Sequence, residues 1–218
     1  MSKLYKFSIF VCFLILSATA VSAYEGGDWQ IWHTYKLSYG IVDGVKAGLE
    51  QEFKMGDDFT EEYYHHSDLG FTWKAANWFE LGLNYRLVYE LKDGSWTEEK
   101  RPHCSGTIKW EWGGFKLSDR NRFELRMLEG EDDAWRYRNR IALEFPEDVM
   151  SVVTPYFADE VFVDLGADGA NKNRFYSGLK FRVIDHLKAD IYYLWQASKS
   201  DDVWIGLNAL GMKLGIDF

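Results

Sequence analysis

The stretch AWRYRNRIALEF, Ala134–Phe145, carries arginine at every second position: Arg136, Arg138 and Arg140. Its other parity holds Trp135, Tyr137, Asn139, Ile141, Leu143 and Phe145. Successive side chains of an extended strand point to opposite faces, so one face here is guanidinium and the other largely apolar. One such strand would suit a soluble sheet, with its arginines in water and its apolar face on a core. Repetition along the chain excludes that reading.

Phe79–Glu90 sets Phe79, Leu81, Leu83, Tyr85, Leu87 and Tyr89 against Glu80, Gly82, Asn84, Arg86, Val88 and Glu90. The same step of two runs through Val45–Lys54, Phe115–Met127, Phe175–Val183, Leu187–Gln196 and Leu210–Phe218, and more weakly through Trp29–Tyr39, Tyr63–Trp73, His103–Trp112 and Val152–Val163. About eleven segments of roughly ten to thirteen residues result. No segment is left to form a second layer over so many apolar faces. In lipid the apolar face needs no cover, provided the sheet closes so that every backbone group is paired. The expected fold is all-β: a single up-and-down antiparallel transmembrane β-barrel of 10–12 strands, with short periplasmic turns and longer extracellular loops. Short connections are expected at Lys74–Asn77, Gly113-Gly114, Pro146–Asp148 and Ile184-Asp185. Longer polar ones are expected at Met55–Glu61, Lys92–Lys100, Glu129–Asp133, Asp164–Asn171 and Ala197–Asp202. Loop parity counts eleven strands, whereas bacterial barrels have even counts, so ten or twelve are expected. Aromatics fall where two girdles belong: Trp73, Trp78, Trp110, Trp112 and Phe115 toward the turns, Trp29, Tyr63, Tyr89, Trp135 and Trp204 toward the loops.

The ends fit this reading. Residues 1–23 combine Lys3 and Lys6, an apolar run Phe7–Leu16, and Val21-Ser22-Ala23, which reads as a secretory signal peptide ahead of a barrel domain over 24–218. The run is too short to span a bilayer. Cys104 is then the only mature cysteine, which excludes an intrachain disulfide. Loss of Lys3 and Lys6 takes the formal charge from −9 to −11, which excludes nucleic acid as a partner. The closing segment ends LGMKLGIDF, and a terminal Phe218 on an amphipathic strand matches the signal read by the barrel-assembly machinery. Export and barrel together predict the bacterial outer membrane. Its lipid and lipopolysaccharide are the expected surroundings, with loop acids Asp57, Asp58, Glu131 and Asp132 available to bridge cations to lipopolysaccharide phosphates.

With the apolar face outward, the arginines face the lumen. One wall contributes Lys46, Glu50, Glu52, Lys54, Asp68, Glu80, Arg86 and Glu90. The segments from Phe115 to Val183 contribute Lys116, Arg120, Arg122, Arg126, Arg136, Arg138, Arg140, Arg174, Lys180 and Arg182 against only Glu124 and Glu144. If Arg126 lies opposite Arg136, then Glu124 meets Arg138 and Arg122 meets Arg140. Asp159-Glu160 breaks the alternation if Tyr156 and Ala158 face outward; a β-bulge would then turn Glu160 toward the arginines. Two readings of this lumen stand: an ion-paired interior in a structural or binding barrel, or a narrow pore whose opposed walls select small anionic or zwitterionic solutes.

An alternative is a lipid-modifying hydrolase. His65 and Ser67 share the lipid side of one strand, as in the His-x-Ser arrangement of outer-membrane lipid A deacylases. No orienting carboxylate shares that face on the neighbouring strands, which argues against a catalytic role. His65 and His66 are adjacent, so their imidazoles diverge and do not converge on a metal. No cofactor is implied.

The segments NRFELR (Asn121–Arg126), RYRNRIALEF (Arg136–Phe145), PYFADEVF (Pro155–Phe162), NKNRFYSGLKF (Asn171–Phe181) and the closing strand resemble the domain-of-unknown-function family 2490, of bacterial outer-membrane barrels. GDWQIWHTYKL (Gly27–Leu37) is similar to its start, so the resemblance covers essentially the whole mature chain. It implies a barrel and an outer-membrane address, and no activity or catalytic residue.

Overall fold

The computed structural model describes residues 29–56, 59–146, 152–166, 169–200 and 203–218. The expected signal peptide lies outside the described residues. Eleven strands follow one another: β1 Trp29–Val42, β2 Val45–Gly56, β3 Glu61–Ala76, β4 Phe79–Lys92, β5 Ser95–Trp112, β6 Phe115–Leu128, β7 Ala134–Glu144, β8 Val153–Asp164, β9 Gly169–Ile184, β10 Leu187–Ser200 and β11 Val203–Asp217. Each pairs antiparallel with its sequence neighbours, and β1 joins β11 to close the barrel.

That closing pair is parallel, from Trp29↔Asn208 to Ser38↔Asp217. The expectation of an even count is thus corrected. Direction reverses at every turn, so after an odd number of strands the last runs the same way as the first and their ladder must be parallel. At the seam Gly40 N–H donates to Phe218 O (3.0 Å) and Phe218 N–H to Ser38 O (2.9 Å). The last residue is therefore stitched into β1, and no edge is left there.

The expected contrast between short turns and long loops is only partly present. Lys92–Lys100 is no long loop: Asp93-Gly94, both with positive φ, make a tight two-residue hairpin and β5 starts at Ser95. Ala197–Ser200 likewise belongs to β10. Conversely, the expected short turn at Pro146–Asp148 is a connection over 145–152, of which 147–151 lie outside the described residues.

Alternation sorts the side chains as a lipid-embedded barrel requires. Leu69, Leu83 and Ile191 point outward and are more than half exposed, while Asp68, Arg86 and Glu124 point inward and are buried. Trp73, Trp78, Trp110 and Trp112 mark the rim holding the β1–β2 turn (the turn rim). Trp29, Trp96, Trp135 and Trp204 mark the opposite, loop rim. The buried apolar core sits inside the lumen, where Trp32, Tyr156, Tyr176, Tyr192 and Leu194 cluster. Tyr192 fits there because its row neighbours are Gly178 and Gly211; a Cβ on Gly211 would lie 2.0 Å from Tyr192 Cζ.

Candidate functional site

Strand parity builds the site. A cavity of about 600 Å³ runs through the lumen, lined from Gln30, Tyr63 and Lys172 at the loop rim to Lys46, Glu80 and Asp217 at the turn rim. It is within the size range of small-molecule sites. Arg86, Arg120, Arg122, Arg126, Arg136, Arg138, Arg140, Arg174, Glu50, Glu52, Glu80 and Glu160 all line it. Arg182 does not; it lines a second hollow of about 520 Å³ at the turn rim. The two hollows share Lys36, Ser38, Asp190, Lys213 and Asp217.

On the arginine wall two fully buried carboxylates hold the centre. Arg138 spans them, donating from Nη1 to Glu124 Oε1 (2.7 Å) and from Nη2 to Glu160 Oε1 (2.8 Å). Arg120 Nη2 donates to the same Glu160 oxygen at 2.9 Å, and Tyr176 Oη donates to the other at 3.2 Å. Arg122 reaches Glu124 only at 3.5 Å. Toward the loop rim, Arg126 grips Glu99 with two bonds of 2.8 and 2.9 Å, and Arg101 Nε adds a third at 2.7 Å. Arg136 Nε donates to Asp164 at 2.6 Å, and Asn171 donates to the same carboxylate.

Two expectations are corrected on this wall. The β6–β7 register sets Arg122 opposite Arg138, Arg120 opposite Arg140 and Glu124 opposite Arg136. Arg126 meets Ala134, not Arg136, because β7 starts at Ala134 and the connection fixes the register two residues away from that expected. Glu124 still reaches Arg138, but diagonally. Nor does a bulge turn Glu160 inward: Tyr156, Ala158, Glu160 and Phe162 are all buried inward, and the register shift comes later, at Phe162/Val163.

The opposite wall is carboxylate-rich and closely paired. Asp68 accepts from Arg86 Nε (2.7 Å) and Asn84 Nδ2 (2.7 Å) and lies 2.9 Å from His103 Nε2. Glu50 faces Arg86, His66 and Lys213 at 3.4–3.6 Å. Lys54 sits between the Trp32 and Tyr64 rings, 3.8 and 4.1 Å from their centroids, and 3.4 Å from Glu52.

Four cavity-lining cations differ from these: Lys36 on β1, which has no carboxylate oxygen within 4.0 Å among the described residues, and three on β7 and β9. Among the described residues, no carboxylate oxygen lies within 4.0 Å of Arg140, Lys172 or Arg174. Arg140 stacks on Tyr176 at 4.4 Å, and Arg174 lies over Trp32 and Phe162 at 4.8 and 4.9 Å while donating to Gln196. Their guanidinium faces are covered by rings, and Glu160, which stands opposite both in register, lies farther than 4.0 Å from each. Glu99, Arg101, His103 and Lys172 were not among the residues expected from sequence.

The lipid-side pair does gain an acid that the neighbouring strands lack: Glu62, on the same strand, lies 2.8 Å from His65 Nδ1. Among the described residues, however, no hydrogen bond joins His65 to Ser67, and the imidazole packs on Tyr89 and Trp96. No group of histidine, cysteine and carboxylate side chains able to hold a metal occurs among the described residues.

A closed barrel with an outward apolar belt and a charged, hollow lumen defines a transmembrane β-barrel. The chain belongs to the family described as protein of unknown function DUF2490, whose model matches residues 29–205. Among solved structures it is similar to one described as the NanC porin in a rhombohedral crystal form, with TM-score 0.53 and 12% identity over 88% of this chain and 98% of that one. At that identity the likeness is one of fold. No curated protein matches the chain.

Proposed function

We propose that the protein is a bacterial outer-membrane barrel forming a narrow passage for small anionic or zwitterionic solutes. The observation that carries this reading is the cavity of about 600 Å³, lined from rim to rim and faced by Arg140, Lys172 and Arg174, none of which has a carboxylate oxygen within 4.0 Å among the described residues. Carboxylates on β2–β4 and cations on β6–β9 set a field across the passage, which concentrates anions along one side. Low dielectric in the barrel wall strengthens that field. The loop rim faces the outside and the turn rim the periplasm, with lipopolysaccharide around the loops. There Glu131 already lies 3.7 Å from Lys92, while Asp57 and Asp58 are outside the described residues. The C-terminal strand ending in Phe218 is the segment offered to the barrel-assembly machinery.

Purified mature protein in planar bilayers tests this. Steady current steps are expected, with a reversal potential under a salt gradient that reports anion preference. A folded barrel that stays silent would instead mark a structural or binding barrel whose ion-paired interior is closed.

A further inference from the structure

The outer face carries a feature that a solute passage does not use. Asp119 and Asn121 on β6, Asn139 on β7, Asp159 on β8 and Asn173 on β9 all point outward, between Leu117 and Phe115 below and Phe123 and Trp135 above. They form a patch of two hydrogen-bonded groups side by side, Asp119–Asn121–Asn139 and Asp159–Asn173. Asn139 Nδ2 donates to Asp119 Oδ1 (2.6 Å) and to Asn121 Oδ1 (3.2 Å), and Tyr137 Oη donates to Asn121 Oδ1 (2.5 Å). Asn173 Nδ2 donates to both Asp159 oxygens, at 3.1 and 3.2 Å.

Carboxylates turned toward hydrocarbon at this level are costly, because lipid offers their remaining lone pairs no donor. Among the described residues the patch holds no lysine or arginine, and its two carboxylates accept only from its own amides. A groove of about 470 Å³ adjoins it where Cys104 and Gly106 are too short to fill the space between Leu81, Leu83 and Phe123; Asn121 forms its wall.

We propose that this face is the contact between two copies of the chain. The argument is self-complementarity. Two copies in one membrane are related by an axis along the membrane normal. Let that axis pass beside Asn139; β6 of one copy then faces β8 of the other, and β5 faces β9. Asn121 stands six residues above the turn-rim start of β6 at Phe115, and Asp159 six above the start of β8 at Val153. An amide donor on each copy thus meets a carboxylate acceptor on the other at the same level, twice over. The same operation brings Gly106, six residues above Trp112, opposite Leu179, five above Ile184, so an apolar side chain fills the groove.

The test uses the full mature barrel with Cys104→Ser, reconstituted in lipid vesicles and checked for folding by its heat-dependent gel mobility. Asn139→Cys lies at the axis, so oxidation is expected to give a disulfide-linked dimer. Ile191→Cys, outward on β10, should give at least tenfold less. Sedimentation of the unmodified protein should show two chains, and Asn121→Ala with Asp159→Ala should shift it to one while the barrel stays folded. A folded monomer before any substitution, equal cross-linking at both cysteines, or cross-linking of Asn139→Cys to a different protein alone would each overturn the proposal.

Discussion

The two charged walls of the lumen obey the same alternation and end in different states. On β2–β4 each inward base has an acid at hand: Arg86 has Asp68 and Glu50, and Lys54 has Glu52. On β6–β9 the cations outnumber the acids, so Glu124 and Glu160 are each shared among several arginines while Arg140, Lys172 and Arg174 are left facing the cavity. Shared carboxylates fix the wall; leftover cations give it a sign. On the proposed reading, structure and selectivity are carried by separate residues of one strand. Arg138, spanning two acids, belongs to the first class, and Arg140, two residues on and stacked on Tyr176, to the second.

The comparison can be broken most forcefully at Glu160. Glu160→Ala strips Arg138, Arg120 and Tyr176 of one acceptor and leaves buried cations uncompensated, so a loss of about 3–5 kcal/mol is expected in urea unfolding of the lipid-reconstituted barrel. Asp68→Ala on the other wall should cost about 2–3 kcal/mol, because Arg86 keeps Glu50 within reach at 3.5 Å. Arg140→Gln sharpens the contrast: it forfeits one ring contact, about 0.5–1 kcal/mol, yet lowers the anion preference read from the reversal potential. Lys188→Ala at the turn rim, which removes an exposed partner of Asp217, should change stability by no more than about 0.5 kcal/mol in the same unfolding assay.

Which residues face the lumen was largely legible from parity, since a period of two assigns the faces of any strand once one of its residues is placed. Ala134–Phe145 alone orients β7, and its arginines lie where that orientation puts them. Three things were not legible. The direction of the closing pair depends on the parity of the strand count, and a rule for even barrels pointed the wrong way. The β6–β7 register depends on where β7 begins, which alternation alone leaves free by steps of two. Glu99 and Arg101 were missed because polar Lys92–Lys100 looks like loop and the alternating segment was begun only at His103, although the same step of two runs back from His103 through both residues. Tyr156 and Ala158 were assigned outward because an aromatic ring suits lipid as well as lumen; the small Gly178 opposite Tyr156 makes the inward position possible.

The claim that the lumen is open and positive along the arginine wall is tested most directly by thiol labelling in the Cys104→Ser background. Thr107→Cys lies opposite Arg120, and Thr72→Cys lies on the carboxylate side beside Lys46; both positions line the cavity. Each folded variant is treated with a negatively and a positively charged methanethiosulfonate of equal size, and the rates are compared. The anionic reagent should win by about tenfold at Thr107→Cys, with a smaller ratio at Thr72→Cys. No reaction at either cysteine, or the same ratio at both, would contradict the account.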